Sequence, residues 1–192
     1  MDINNTCVII FLVFTILFAI RRIRETFLNP SKIRGEIKEK ISLPILTLVY
    51  VFVCSVAVLD ILIIRSRINL VITSFGIFLY INAFLLRSWA FRTLGEYYSP
   101  HIEIRKEQPL IIKGPYRFIR HPIYLGVMLE LLSFTIISNS YYALVLAVFL
   151  YLPILLIRMY QEEISMMKEF GSAYLQYKKE VNAILPLKKH SR

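Results

Sequence analysis

The sequence predicts an all-α polytopic membrane protein, with five transmembrane helices and an amphipathic C-terminal helix on the cytoplasmic side. Three observations carry this expectation. Of 192 residues, 57% are hydrophobic and only 19% charged, which is too apolar for a soluble domain of that length. The apolar residues gather into runs, and a hydrocarbon core of ~30 Å needs about 20 helical residues to cross it. Lys and Arg outnumber Asp and Glu by 23 to 13 and cluster where those runs end. A chain with 14% aromatics and 6 Gly is neither collagen-like nor disordered. Its 2 cysteines, Cys7 and Cys54, lie inside apolar runs and read as small buried hydrophobes without a disulfide framework. His101, His121 and His190 are too dispersed for a zinc site, so no metal is expected.

The first run, residues 3–20, is uncharged and ends at Arg21-Arg22-Ile23-Arg24. Because the basic cluster follows the apolar run, it reads as a retained span and not a cleavable signal. The second covers 41–64, with Pro44 near its start and Asp60 close enough to its end to snorkel. The third, from about 68 to 91, carries Asn82 and Arg87. The fourth, 123–137, is short and is broken by Ser138-Asn139-Ser140 before the fifth, 141–157. That break leaves room only for a tight antiparallel hairpin. Glu130 falls mid-span, where a bare charge costs at least about 2.5 kcal/mol, so it is expected to pair with Arg87.

Basic residues number seven between Arg21 and Lys40, two at Arg65 and Arg67, six between Arg92 and Arg120, none in 138–140, and seven from Arg158 onward. This alternation places the N-terminus outside and the C-terminus in the cytoplasm of a multi-pass protein, with a prokaryotic cell membrane as the expected location. The charges sit at span ends and not on one polar face, which argues for membrane lipids as partners and against nucleic acid. Nothing in the chain calls for an obligate protein partner. A single domain, 1–192, is expected, divided into a two-helix part (1–66) and a core (67–192).

Two segments are longer than connectors need to be, the loop 92–122 and the tail 161–192. In the tail, Ile164, Met167, Phe170, Tyr174 and Tyr177 recur at helical spacing between charged residues. Such a helix either lies along the interface or folds under the spans and closes a pocket. The densest cluster of functional side chains is Gly114-Pro115-Tyr116-Arg117-Phe118-Ile119-Arg120-His121-Pro122-Ile123-Tyr124-Leu125-Gly126. Pro122 suits a first helical turn. Arg120 and His121 are then either interfacial anchors, with Tyr116 and Tyr124, or part of an anion site beside free helix N–H groups. A second cluster, Arg158, Glu162 and Glu163, places Arg158 and Glu162 on one helix face; as an exposed ion pair they would contribute only about 0–1 kcal/mol.

Taken in order, Leu94-Gly95, Gly114-Pro115-Tyr116, Arg120-His121-Pro122 with Tyr124 and Gly126, Arg158 with Glu162-Glu163, and Phe170-Gly171 with Tyr174 and Tyr177 resemble the isoprenylcysteine carboxyl methyltransferases. These are integral membrane enzymes that use S-adenosylmethionine and are related to phospholipid N-methyltransferases. The resemblance covers the C-terminal hundred residues. It implies cofactor contacts from Gln108, Pro109, Leu110, Ile111, Tyr116, His121, Pro122, Ile123, Tyr124 and Glu162, and an acceptor carboxylate at Arg158, with the tail helix closing the cofactor pocket. Two positions depart from the family pattern. Gln108 stands where His is common, and Ala183 stands where an Arg often precedes the tail proline, here Pro186.

Methyl transfer from a sulfonium to a carboxylate needs no general base, only alignment at about 3 to 3.5 Å and exclusion of water. Arg158 suits two-point binding of a carboxylate, and Glu162 or Glu163 could face the cofactor's positive charge; these three form the expected catalytic set. The expected acceptor is a lipophilic carboxylate that arrives from the bilayer. An amine acceptor would first have to lose a proton and would gain nothing from Arg158. N-methylation of a phospholipid or amine is therefore the alternative, with a non-enzymatic membrane protein of the same fold as a third reading. The terminal Lys188-Lys189-His190-Ser191-Arg192 is no prenylation box.

Overall fold

The computed structural model describes residues 3–25, 36–64, 68–104 and 108–186. Arg65 and Arg67, part of the charge in the first and third loops, and residues 187–192 with His190 lie outside the described residues. Helix α1 spans Ile3–Ile23, α2 Ser42–Leu59, α3 Leu70–Leu94 and α4 Pro122–Ile137. Helix α5, Tyr141–Leu146, runs through a π turn at Ala147–Tyr151 into α6, Leu152–Glu180. Among the described residues four helical stretches are long and apolar enough to span a membrane, and Pro122–Ile137 is a shorter apolar helix. Ile10, Leu48, Val71 and Phe149 are among the large apolar residues on the outer surface, where lipid would solvate them.

Local chemistry explains the element ends. Asn69 caps α3 by accepting from the N–H groups of Val71 and Ile72. Pro122 opens α4, because its missing N–H is not needed in a first turn. Ser140 caps α5, and the hairpin before it turns at Asn139 with φ 54°. The fifth span and the tail, read as separate helices in the sequence, are one helical run that breaks only at Gly171 (φ 52°). A β-branched or bulky side chain is strained at that φ, and glycine is not.

One expectation is corrected. Asp60 does not snorkel: it is buried and accepts a 2.5 Å hydrogen bond from Ser140 Oγ, which ties the end of α2 to the hairpin. A small antiparallel pair, β1 (Glu36–Glu39) with β2 (Ile102–Ile104), joins the segment that leads into α2 to the long loop 92–122.

Helices α3 and α4 pack most closely. A Cβ on Gly126 would lie 2.2 Å from Arg87 Cγ, and one on Gly76 would lie 2.8 Å from Ile137. Phe18 packs on Phe134 with ring centroids 5.1 Å apart, which joins α1 to this pair. The expected partnership of Glu130 and Arg87 is present and is larger than a pair. Glu130 is fully buried and also receives Arg21 Nη2 at 2.7 Å, while Glu25 receives Arg21 Nε at 2.9 Å and an Arg87 amino group. Arg21 and Arg22 thus belong to the last turn of α1, inside the bundle and not in a loop.

Candidate active site

At the end of the bundle where α2 and α4 begin, a cavity of about 670 Å³ opens among α1, α2, α4, α6 and the long loop. This volume lies within the roughly 300–1,000 Å³ range of small-molecule sites. Its polar end is lined by Gln108, Leu110, Ile111, Tyr116, His121, Pro122, Ile123, Tyr124, Arg158 and Glu162. From there an apolar arm follows α1 and α2 past Phe18, Leu46, Cys54 and Val58.

Each polar group has an identifiable support. Tyr124 Oη donates to Glu162 Oε2 at 2.5 Å, which joins α4 to α6 and sets the carboxylate toward the cavity. Burial, with the nearby Glu162 carboxylate adding to it, pushes the Tyr116 hydroxyl well above its ordinary range, so it stays protonated and can donate. Arg158 reaches Ser42 Oγ at the start of α2, donates to the Pro100 carbonyl at 2.5 Å, and lies 3.7 Å from Glu39. Burial works against the Glu39 carboxylate, yet the hydrogen bonds from Ser42 and Ile41, together with Arg158, hold it below the usual range. Glu39 of β1, Ser42 of α2 and the Pro100 carbonyl together position Arg158.

The tail closes the site. Tyr174 and Tyr177 line the cavity, and Tyr177 Oη donates to the Tyr116 carbonyl at 2.5 Å. Beyond the helix, the backbone N–H groups of Arg120 and His121 each donate at 2.9 Å, to Asn182 O and Ala183 O. Position 183, where the sequence departs from the family pattern, thus contributes its carbonyl to this seam.

Two predicted residues fall elsewhere. Glu163 does not face the cavity. It is buried behind it, where Arg120 Nε (3.0 Å), His121 Nε2 (3.2 Å) and Lys178 Nζ (2.6 Å) surround its carboxylate. The adjacent Glu162 and Glu163 point apart because successive residues on a helix are rotated by about 100°. Pro109 lines a neighbouring hollow with Thr93 and Gly95. The Arg120–His121 pair is neither a free anchor nor an open anion site, since Glu163 and the carbonyls of residues 178 and 181 take up its donors. Sequence reasoning missed Arg22, Tyr50 and Arg87 as cavity residues. The one available signal was a run of Arg at the end of an apolar span. Among the described residues no cluster of metal-ligating side chains occurs.

Fold and cavity define a class: a polytopic helical membrane protein with a ligand-sized chamber that is polar at the bundle end and apolar within it. Residues 75–168 match the model of the isoprenylcysteine carboxyl methyltransferase (ICMT) family, just under half of the chain, and support the family resemblance read from the sequence. It is 35% identical over 57 residues to the uncharacterized protein YpbQ of Bacillus subtilis (strain 168), a segment that makes up 30% of this chain and 34% of that one. The fold resembles that of the eukaryotic intramembrane Ras methyltransferase ICMT, with a TM-score of 0.62 at 20% identity. That likeness, which is one of fold, covers 81% of this chain and 56% of the solved one, so the chain spans little more than half the length of this relative.

Proposed function

We propose that the chain is an S-adenosylmethionine-dependent methyltransferase that O-methylates the carboxylate of a lipophilic, isoprenylcysteine-like acceptor at the membrane. The carrying observation is the convergence of Tyr116, His121, Tyr124, Glu162 and Arg158 on one cavity that continues into an apolar arm. The residues fit the cofactor. Gln108 Oε1 is buried at the cavity wall with no donor among the described residues, so it would accept an N–H from an adenine or amino group. Glu162 would balance positive charge on the ligand, and Tyr116 and Tyr124 would enclose it. When bound, the cofactor supplies a methyl group on a sulfonium, whose S–C bond breaks as the acceptor's O–C bond forms, leaving a neutral thioether.

The protein's part is to hold and to exclude. Ser42 and the Pro100 carbonyl fix the Arg158 guanidinium, which has N–H groups beyond those two bonds with which to hold a carboxylate. Tyr124 locks the Glu162 rotamer, so that charge and acceptor stay aligned. The apolar arm keeps water from the nucleophile. Four Arg (Arg22, Arg87, Arg120 and Arg158) and one Glu, Glu162, line the cavity. Glu163 offsets Arg120, and Glu25 and Glu130 offset two of Arg21, Arg22 and Arg87. The one positive charge left there, together with Arg158, favours an anionic acceptor over an ammonium, and hence O- over N-methylation. The bundle end that bears the cavity is proposed to face the cytoplasm, where a polar cofactor is available, while the acceptor comes from the bilayer.

The test is calorimetric titration of the protein in lipid nanodiscs with S-adenosylmethionine. Glu162→Gln should weaken binding about 10- to 100-fold, the worth of a charge-assisted hydrogen bond. Arg158→Ala should retain cofactor affinity and lose turnover of a lipophilic carboxylic acid. Wild-type protein that takes up no cofactor overturns the reading, and so does an Arg158→Ala variant with undiminished turnover.

A further inference from the structure

We propose that Arg22, Tyr50 and Arg87 form an anion subsite inside the apolar arm of the cavity, and that the acceptor is a lipophilic molecule carrying a second acidic group there. The inference rests on the proposed carboxyl methylation and extends it to the acceptor's other end.

All three side chains line the cavity. The Arg22 guanidinium lies 4.7 Å from the centre of the Tyr50 ring and 3.6 Å from Glu130. Tyr50 is 6% exposed and Arg87 2% exposed, yet Tyr50 Oη and Arg87 Nε are both buried without a hydrogen-bond partner among the described residues. Buried donors that find no acceptor in the protein are uncommon. Here two of them belong to residues that line one ligand-sized cavity and are linked through Arg22, which lies over the Tyr50 ring and shares Glu130 with Arg87. The charge count agrees. The network holds Arg21, Arg22 and Arg87 against Glu25 and Glu130, so among the described residues one positive charge is left over. Positive charge surrounded by apolar helices and supplied with spare donors is complementary to a carboxylate or other acidic group.

Helix rise gives the spacing. Tyr124, beside the reacting end, and Glu130, beside Arg22, are six residues apart on α4, which corresponds to about 9 Å. Along α2, Ser42 at Arg158 and Tyr50 at Arg22 are eight residues apart, about 12 Å. A molecule that spans both cations therefore carries its acidic groups on the order of 10 Å apart, across a chain thin enough for the arm. Decanedioic acid, whose carboxyl groups when extended lie roughly 11 Å apart, is the matching probe. Decanoic acid is the control that lacks the second group.

The experiment uses the full chain in lipid nanodiscs and has two readouts. The first is methyl transfer from S-adenosylmethionine to each acid, and the second is the shift in thermal unfolding that each acid causes without cofactor. For wild type, kcat/KM on the diacid should exceed that on the monoacid about tenfold or more, and the diacid should give the larger thermal shift. Tyr50→Phe, which removes one oxygen and keeps the ring that stacks on Phe18, should cut the diacid-to-monoacid ratio severalfold, and Arg22→Gln should bring it to parity. If neither acid is methylated but the diacid still stabilises wild type and not Tyr50→Phe, the subsite stands and the methylation reading falls. Equal treatment of the two acids by wild type, in turnover and in thermal shift, overturns the subsite. A ratio unchanged in Tyr50→Phe and Arg22→Gln overturns it as well.

Discussion

Glu162 and Glu163 are neighbours in the chain with opposite surroundings. Glu162 receives Tyr124 and faces the cavity, whereas Glu163 is enclosed by Arg120, His121 and Lys178 and pins the tail. Removing one partner of a buried charge cluster strands the others, at a cost of about 3–5 kcal/mol when all are fully buried. Lys178 is 34% exposed and can reach water, so the expected loss for Glu163→Gln lies at the lower end of that range. Thermal unfolding should therefore drop clearly for Glu163→Gln, with faster proteolysis after residue 171. Glu162→Gln should keep its melting temperature and lose cofactor affinity. Identical behaviour of the two variants in melting and proteolysis contradicts this division. The adjacent pair was visible in the sequence as chemistry-bearing. Its split was not, because helical rotation assigns the faces only once the neighbours of α6 are known.

Among the elements, the α3–α4 contact positions most of the site, since α4 carries Tyr124 and α3 carries Arg87. Gly126 permits it: an added methyl would meet the Arg87 stem, which cannot retreat because its guanidinium is held by Glu130 and Glu25. Gly126→Ala should destabilise by about 1–3 kcal/mol, as overpacking generally does, with weakened cofactor binding as α4 shifts. At Gly95 nothing lies within 4 Å of an added Cβ, so Gly95→Ala bears only the strain of its positive φ (56°). Comparing the two unfolding midpoints checks the assignment, and a Gly126→Ala midpoint at the wild-type value counts against it. Composition and run length announced these helices. The close approach was not readable, because a glycine in an apolar run looks the same whether it touches another helix or lipid.

On the scale of the molecule, the division into 1–66 and 67–192 describes motif content better than it describes stability. Helix α1 delivers Arg21 to the buried Glu130 of α4, and the start of α2 delivers Ser42 to Arg158 of α6. The N-terminal helices also form one wall of the apolar arm. Residues 67–192 produced alone should lose cooperative unfolding and most cofactor affinity, and both should return when 1–66 is supplied in trans. A core fragment that melts like the full chain and binds cofactor as well would refute this dependence.

The sequence by itself determined the membrane class, the approximate spans, the pairing of Glu130 with Arg87 and the resemblance to the family whose model matches residues 75–168. Hydrophobic run length, the cost of a bare charge in lipid and a motif order are all written along one dimension. The tertiary structure alone decided that Glu163 is an anchor, that Asp60 is buried, that the tail seam runs through Ala183, and that Arg22, Tyr50 and Arg87 line one cavity. Each of these depends on residues far apart in the chain becoming neighbours, and a buried group's role is set by which partners reach it.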